Sequence, residues 1–399
     1  MNLSGVIMLS RICLLTNYNL YESKRHFTQK FAEALNRHHI ETKIIDANEG
    51  PIGADIISAI QRFDPHLTCS FNSMMPLSQN RYLWDLLETP HLSILVDPAI
   101  YSVSLTSSPY SILSCVDRND VSSMKEYNFD RIFFWPHAVE KELGSEPEQK
   151  KEFDVVFLGS CYDYESLRAS WRQRNPDALN VVLDDAIDIV LSNNQISLAD
   201  ALVDAWNRSS YNPEGVDFTT LFYYLDMYTR GKDRVELIRS IKDVPVHIFG
   251  ELSQDNAVGV LGWQQYLANQ SNVTIHPSVP FSQSFDILRK SKISLNSMPF
   301  FRDGTHERVF TSLCCGAVPI TSESTYLRET FKDGKELFYY QSKHWNEVND
   351  KIHTILADEP KRQAICEQGR ELVMRDHTWD KRAEQLKIAI EPFLEKLLK

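Results

Sequence analysis

Residues 293–340 read ISLNSMPFFRDGTHERVFTSLCCGAVPITSESTYLRETFKDGKELFYY, and the alternation inside this stretch decides the fold. Short apolar runs at 292–296, 317–321 and 336–340 are the length of buried strands. Between them lie a long loop, a helical stretch, a second loop and a second helical stretch. Strand, helix, strand at this period is the βαβ unit, which builds a mostly parallel sheet with right-handed crossovers and helices on both faces.

Working outward, the pattern recurs on both sides. Strand-like runs stand at 11–16, 41–46, 66–70, 91–96, 112–116 and 131–135, and again at 153–160, 245–249 and 272–276. Helical spacing links Phe27, Phe31, Ala34 and Leu35 within 23–37, and further helices fit 53–62 and 78–88. The polar stretch 144–152, GSEPEQKKE, has the composition of a linker. Residues 162–243 have no strand pattern, so a helical insertion is expected over about 162–215 and a helix over 218–242. The expected organisation is a Rossmann-like domain at 1–150 and a second at 151–377 carrying the insertion. A closing amphipathic helix at 378–399 would pack back on the first domain.

Bulk properties agree with two α/β domains. The chain has 399 residues, 43% hydrophobic and 24% charged, with a net charge of −12. Such a charge argues against nucleic acid or anionic lipid as the main partner. The seven cysteines form no CxxC pair and read as buried, reduced thiols. No run of 18 apolar residues suggests a membrane span. The start, MNLSGVIMLSRICLL, lacks a basic n-region and reads as a short leader into the first strand, which implies a cytoplasmic protein. No HExxH, GxxxxGK[ST], GxSxG or Asp-x-Asp motif is present, and Asp184-Asp185 is not one.

The chemistry concentrates in the quoted stretch. The loop from Asn296 to Thr305 carries Asp303-Gly304, and the helix after it starts near Thr305 or His306. Thr305 can cap that helix, whose free N–H groups make an anion site. Arg308 adds a forked cation one turn in, suited to a diphosphate. The plain alternative is an ordinary cap with His306, Glu307 and Arg308 as a solvated first turn. Asp97, Gly159-Ser160, Asn296 and Thr321 all follow apolar runs, where ligands of parallel sheets bind. Arg230 and Arg234, four apart on one helix face, read as surface charges or as cations facing a ligand.

The stretch resembles the donor-binding region of GT-B glycosyltransferases, above all the bacterial group related to the spore maturation protein CgeB. Arg308-Val309-Phe310, Cys315-Gly316-Ala317 and Thr321 match that group's recurrent helix and strand. Tyr326-Leu327-Arg328-Glu329 with Lys332-Asp333-Gly334-Lys335-Glu336 matches its following element, and His377-Thr378-Trp379-Asp380-Lys381-Arg382 its closing one. In the N-terminal half, Leu95-Val96-Asp97-Pro98, Cys115-Val116-Asp117-Arg118 and Trp135-Pro136-His137-Ala138 resemble further elements. The resemblance covers most of the chain outside the insertion.

It implies two Rossmann-like domains with parallel sheets facing a cleft, donor on the C-terminal domain and acceptor on the N-terminal one. The activity implied is transfer of a sugar from a nucleotide-sugar, UDP by base rate, to a glycan, lipid-linked glycan or protein. No metal or other cofactor is implied. Donor binding falls on Gly159, Ser160, Asn296, Asp303, Gly304, Thr305, His306, Glu307, Arg308, Thr311 and Thr321. Thr311 stands where many relatives carry a ribose-holding Glu; Glu307 and Glu329 are the candidate substitutes. An inverting reaction needs a base, with Asp97 first and His137 second; the alternatives are a turn or cap role for Asp97 and a structural role for His137. A retaining one needs none, and Asp303 would touch the donor sugar. The other readings are a nucleotide-sugar 2-epimerase and a non-catalytic nucleotide-sugar or partner-binding module.

Overall fold

The computed structural model describes residues 9–47, 53–72, 74, 76–78, 81–145, 149–212, 214–251 and 261–397. Residues 1–8 of the expected leader and the middle of the expected linker, 146–148, lie outside them. The chain divides into two compact units: Met1–Glu142 with Pro280–Ser282 and Met374–Lys399, and Leu143–Val279 with Gln283–Val373.

In the first unit, β1 (Arg11–Thr16), α1 (Ser23–Arg37), β2 (Glu41–Asp46), α2 (Ala54–Phe63) and β3 (Leu67–Phe71) follow in order. Next come α3 (Leu83–Leu87), β4 (His91–Leu95), β5 (Ser111–Cys115), α4 (Arg118–Glu126) and β6 (Ile132–Phe134). The six strands are parallel in the order β2-β1-β3-β4-β5-β6. Every residue of β3, β4 and β5 is buried, as strands covered by helices on both faces require. The chain steps from β1 out to β2 and returns to β3 on the other flank of β1. The β1/β3 boundary is therefore the topological switch point. The helix expected at 78–88 is shortened to α3, because the Asp85 carboxylate accepts from the Tyr82 N–H at 2.8 Å and starts it there.

The second unit opens with β7 (Phe153–Leu158) and then the insertion: α5 (Tyr164–Arg174), α6 (Asp177–Ser192) and α7 (Leu198–Arg208). It continues through α8 (Phe218–Arg239), β8 (Val246–Glu251), α9 (Trp263–Tyr266), β9 (Val273–Pro277), α10 (Phe281–Arg289) and β10 (Ser291–Asn296). Then come α11 (Glu307–Cys314), β11 (Val318–Ser322), α12 (Thr325–Thr330), β12 (Phe338–Tyr340), α13 (Glu347–Leu356) and α14 (Glu359–Asp376). Asp163, Ser197 and Asp217 cap α5, α7 and α8 with side-chain oxygens, which is why those helices begin where they do. The sheet is again parallel, ordered β12-β11-β10-β7-β8-β9, so its switch point lies between β7 and β10. The strand expected at 336–340 loses its first two residues to a turn. Gly334, at φ 73°, donates its N–H to the Leu337 carbonyl, and Glu336 accepts from the Lys332 N–H.

The last helix, α15 (Trp379–Leu397), belongs to the first unit. Its Trp379, Ala383, Leu386, Ile390 and Leu394 join Phe27, Phe31 and Leu35 of α1 in one core. All seven cysteines are buried.

Candidate functional site

The loop between β10 and α11 is stitched to its neighbours atom by atom. Asn296 Nδ2 donates to Thr321 Oγ1 at 2.8 Å, Ser322 Oγ accepts from the Met298 N–H, and Ser324 Oγ donates to the Gly304 carbonyl at 2.7 Å. Ser297 donates to Asp233 on α8 at 2.6 Å. That carboxylate is 0% exposed and also accepts from Tyr340, Ser342 and Trp345 at 2.6, 3.1 and 2.7 Å. Four neutral donors on one buried carboxylate tie α8 to the ends of β10 and β12. Such full satisfaction is what makes a buried charge tolerable.

The helix begins one residue later than a Thr305 cap would have it. His306, with extended backbone at φ −129° and ψ 140°, is the N-cap of α11, and Thr305 is fully buried behind it. His306 Nδ1 lies 2.5 Å from Glu307 Oε2 and 3.3 Å from the Arg308 amide nitrogen. Burial pushes this imidazole's pKa down; the Glu307 carboxylate opposes, and the charges of Arg308 and Arg234 add to the depression. Arg308 Nη1 is buried with no acceptor among the described residues, and Asn296 Oδ1 is buried with no donor. Such groups carry a desolvation penalty that a ligand can relieve. Thr311, 2% exposed, donates its hydroxyl to the Glu307 carbonyl at 2.8 Å, spending it on its own helix. Asp303 is partly exposed on the same loop.

Across the switch point stands the loop after β7. Trp263 Nε1 donates to the Gly159 carbonyl at 3.0 Å and Arg234 Nη1 to the Ser160 carbonyl at 2.7 Å. Arg230 forms a two-point ion pair with Asp226 (2.5 and 2.8 Å), its guanidinium 3.5 Å from the centre of the Phe300 ring. Arg230 and Arg234 are 7% and 4% exposed, which corrects their reading as surface charges. Thus Gly159-Ser160 and residues 296–308 flank one switch point, bridged by two arginines of α8. Sequence reasoning missed Asp233 and Phe300. The signal for the first was available, since Asp226, Arg230, Asp233 and Arg234 recur at helical spacing within one helix.

In the first unit, Asp97 is exposed just past β4, where Asn72 Nδ2 donates to Oδ2 at 2.9 Å. Asn72 takes a left-handed φ of 55° and its Oδ1 accepts from the Val96 N–H at 2.8 Å, which fixes the carboxamide. Lys24, whose Nζ donates to Asn17 Oδ1 at 3.2 Å, has its pKa lowered by burial and raised by the nearby Asp97 charge. Asp97, Asn72, Lys24 and Asn17 thus gather at the β1/β3 switch point and the strand beside it. His137 is placed elsewhere: 4% exposed, edge-on to Phe27 at 4.8 Å and against Trp379 at 5.5 Å, with Nδ1 accepting from the Ala138 N–H at 2.9 Å. Among the described residues, no cluster of three or more His, Cys, Asp or Glu is arranged to hold a metal ion, and no helix is long and apolar enough to cross a membrane.

No curated protein matches the sequence. Residues 232–387 match the model of a family described as glycosyl transferase-like. A glycosyltransferase from Rickettsia africae ESF-5 is similar at 12% identity and a TM-score of 0.54, over 98% of this chain and 99% of that one. Anabaena HepE in complex with UDP and glucose is similar at 10% identity and a TM-score of 0.53, over 96% and 100%. T4 phage BGT in complex with UDP-glucose is similar at 10% identity and a TM-score of 0.52, over 95% and 99%. Two parallel six-stranded α/β sheets, each with its own switch point, and these likenesses over nearly the whole chain make the architecture GT-B, with two Rossmann-like domains.

Proposed function

We propose that the chain is a glycosyltransferase of the CgeB-related bacterial group, moving a sugar from a UDP-type donor to a glycan, lipid-linked glycan or protein acceptor without a metal ion. The observation that carries this reading is the first turn of α11, where the buried Arg308 Nη1 lacks an acceptor beside the switch-point loop. The family match over 232–387 supports sugar transfer, and the UDP and UDP-glucose in the HepE and BGT complexes support the choice of nucleotide.

In this reading the donor lies along Gly159, Ser160 and residues 296–308. Its diphosphate meets the amide groups at the start of α11 and the Arg308 guanidinium. Cleaving the sugar–phosphate bond places negative charge on the departing diphosphate, and prearranged N–H donors stabilise it without reorganising. Asp97 takes the proton of the attacking acceptor hydroxyl, with Asn72 orienting the carboxylate. His137, packed on Phe27 of α1 and Trp379 of α15, takes the structural role rather than proton transfer.

The test is thermal melting of the purified chain against UDP-, GDP-, dTDP- and CMP-sugars. A ligand at about 100 times its dissociation constant stabilises by roughly 2.7 kcal/mol, which is readily seen. One nucleotide class should raise the melting temperature. Arg308→Ala should weaken that ligand by about 1–3 kcal/mol, the worth of a charge-assisted hydrogen bond. Equal affinity in a folded Arg308→Ala variant would remove Arg308 from the site. A second reading, a binding module without turnover, is favoured by one observation: the Thr311 hydroxyl is occupied by its own helix, leaving ribose without its usual carboxylate. Multiple turnover of the donor with any acceptor excludes it.

A further inference from the structure

The insertion has a second consequence within its own unit. Its α6–α7 connection, Ser192–Gln195, forms one wall of an open cavity of about 350 Å3, and the segment after β12, Gln341–His344, forms the opposite wall. Glu323, just past β11, closes one side. The size sits at the lower end of the roughly 300–1,000 Å3 of small-molecule sites. Leu191 is its one apolar lining residue; the rest are amide, hydroxyl, carboxylate, ammonium and imidazole groups.

Both walls are fixed before any ligand arrives. Arg302, 1% exposed, donates to the Val190 carbonyl at 2.8 Å and to Asn194 Oδ1 at 3.1 Å, holding the α6–α7 connection. Ser342 and Trp345 are anchored on the buried Asp233 carboxylate. Between them Lys343 is forced to a φ of 67°, a left-handed conformation costly for a side chain of its kind, and its Nζ donates to Ser192 Oγ at 2.6 Å across the cavity.

Glu323 supplies the directional group. Arg328 and Gln341 both donate to its Oε2, at 2.7 and 3.0 Å, leaving Oε1 with no donor among the described residues. Burial raises this carboxyl's pKa, but the two donors and the Arg328 charge outweigh it and keep the group ionised. One open carboxylate oxygen among amides and hydroxyls suits a ligand rich in neutral O–H groups. An apolar body finds no wall there, and the Glu323 carboxylate opposes an anion that the Lys343 ammonium would attract.

We propose that this cavity is a carbohydrate subsite, binding one sugar ring through its hydroxyls with Glu323 Oε1 as acceptor, and that the helical insertion exists in part to build it. The subsite shares no lining residue with the diphosphate-binding turn and does not depend on the donor assignment.

The experiment is saturation-transfer NMR on the full chain with the methyl glycosides of glucose, galactose, mannose and N-acetylglucosamine, read beside UDP-induced melting shifts. At least one glycoside should receive saturation. Glu323→Gln, isosteric and still able to meet Gln341, should weaken it at least tenfold while the UDP shift is unchanged. Lys343→Gly removes the ammonium and suits the left-handed backbone, so it stays folded and should weaken the same glycoside. Conversely, Arg308→Ala should spare glycoside binding whatever it does to UDP. The proposal is overturned if no glycoside binds, if binding survives Glu323→Gln, or if inorganic phosphate displaces the glycoside in a manner lost with Lys343→Gly, which would make the cavity an anion site.

Discussion

Asp97 and His137 stand a few elements apart in sequence and offer opposite environments for proton transfer. The Asp97 carboxylate is exposed, oriented by one amide donor and paired at longer range with the half-buried Lys24 ammonium. The His137 ring is enclosed by Phe27 and Trp379, with Nδ1 committed to a backbone N–H. A base must reach the hydroxyl it activates, so solvent access favours Asp97. Asp97→Asn keeps the hydrogen-bond geometry but removes the basic oxygen. It should leave nucleotide-sugar affinity unchanged and slow transfer by about 10²–10⁴, the range for general-base loss. Single-turnover kinetics beside a binding isotherm separates the two quantities; a normal transfer rate retires the assignment.

At the scale of elements, α8 does the positioning. Its Gly231 faces the loop after β7, where an added Cβ would meet Tyr162 O at 2.7 Å and Tyr164 Cβ at 2.9 Å. Alanine in a free helix gains about 1 kcal/mol over glycine, whereas overpacking costs typically 1–3 kcal/mol. The second effect wins here because one clashing atom is backbone. Gly231→Ala should therefore destabilise by up to about 2 kcal/mol in urea unfolding and displace the Ser160 carbonyl, weakening nucleotide binding with it. A stabilised variant would mean the loop yields freely and α8 does not set it. The same helix marks the limit of what sequence conveyed. Runs such as HLTCS and HLSILV were legible as strands from their length and apolar content, although their polar residues Thr68, Ser70, His91 and Ser93 are buried as well. The loop at 296–306 was legible from Asp303-Gly304 and the helix after it. The burial of Arg230 and Arg234 was not, since two cations four apart look the same on a wet face and on one sealed by Phe300 and Tyr162. Nor was the shift of the cap from Thr305 to His306, which depends on which residue the tertiary stitching leaves extended.

For the molecule as a whole, the sharpest consequence of burial is its response to acid. His91 is fully buried, stacked 3.6 Å from Trp84, its two ring nitrogens beside Thr68 Oγ1 and Ser70 Oγ at 2.9 and 3.0 Å. Burial pushes its pKa down to about 3. His377 is likewise pushed down to about 3, by burial first and then by the charge of Arg382, whose Nη2 lies 3.1 Å from its Nδ1. Both sit in the first unit, and both titrate near 6.5 once unfolded. Below that pH the unfolded chain takes up two protons that the folded chain refuses, so stability present above pH 6.5 is lost as the pH falls toward 3. The slope is about 1.4 kcal/mol per pH unit for each ring, or about 4 kcal/mol in total between pH 7.5 and pH 5. Carboxylates held below their ordinary range, such as Asp380 beside Arg37, lose their contribution only at lower pH, so this window isolates the histidines. Urea midpoints of the transition carrying the first unit should drop accordingly, and His377→Asn, which cannot take up a proton in either state, should remove about half of the dependence. A flat response over that interval would mean that the folded interior accepts the protons, and that His91 and His377 are less enclosed than their packing implies.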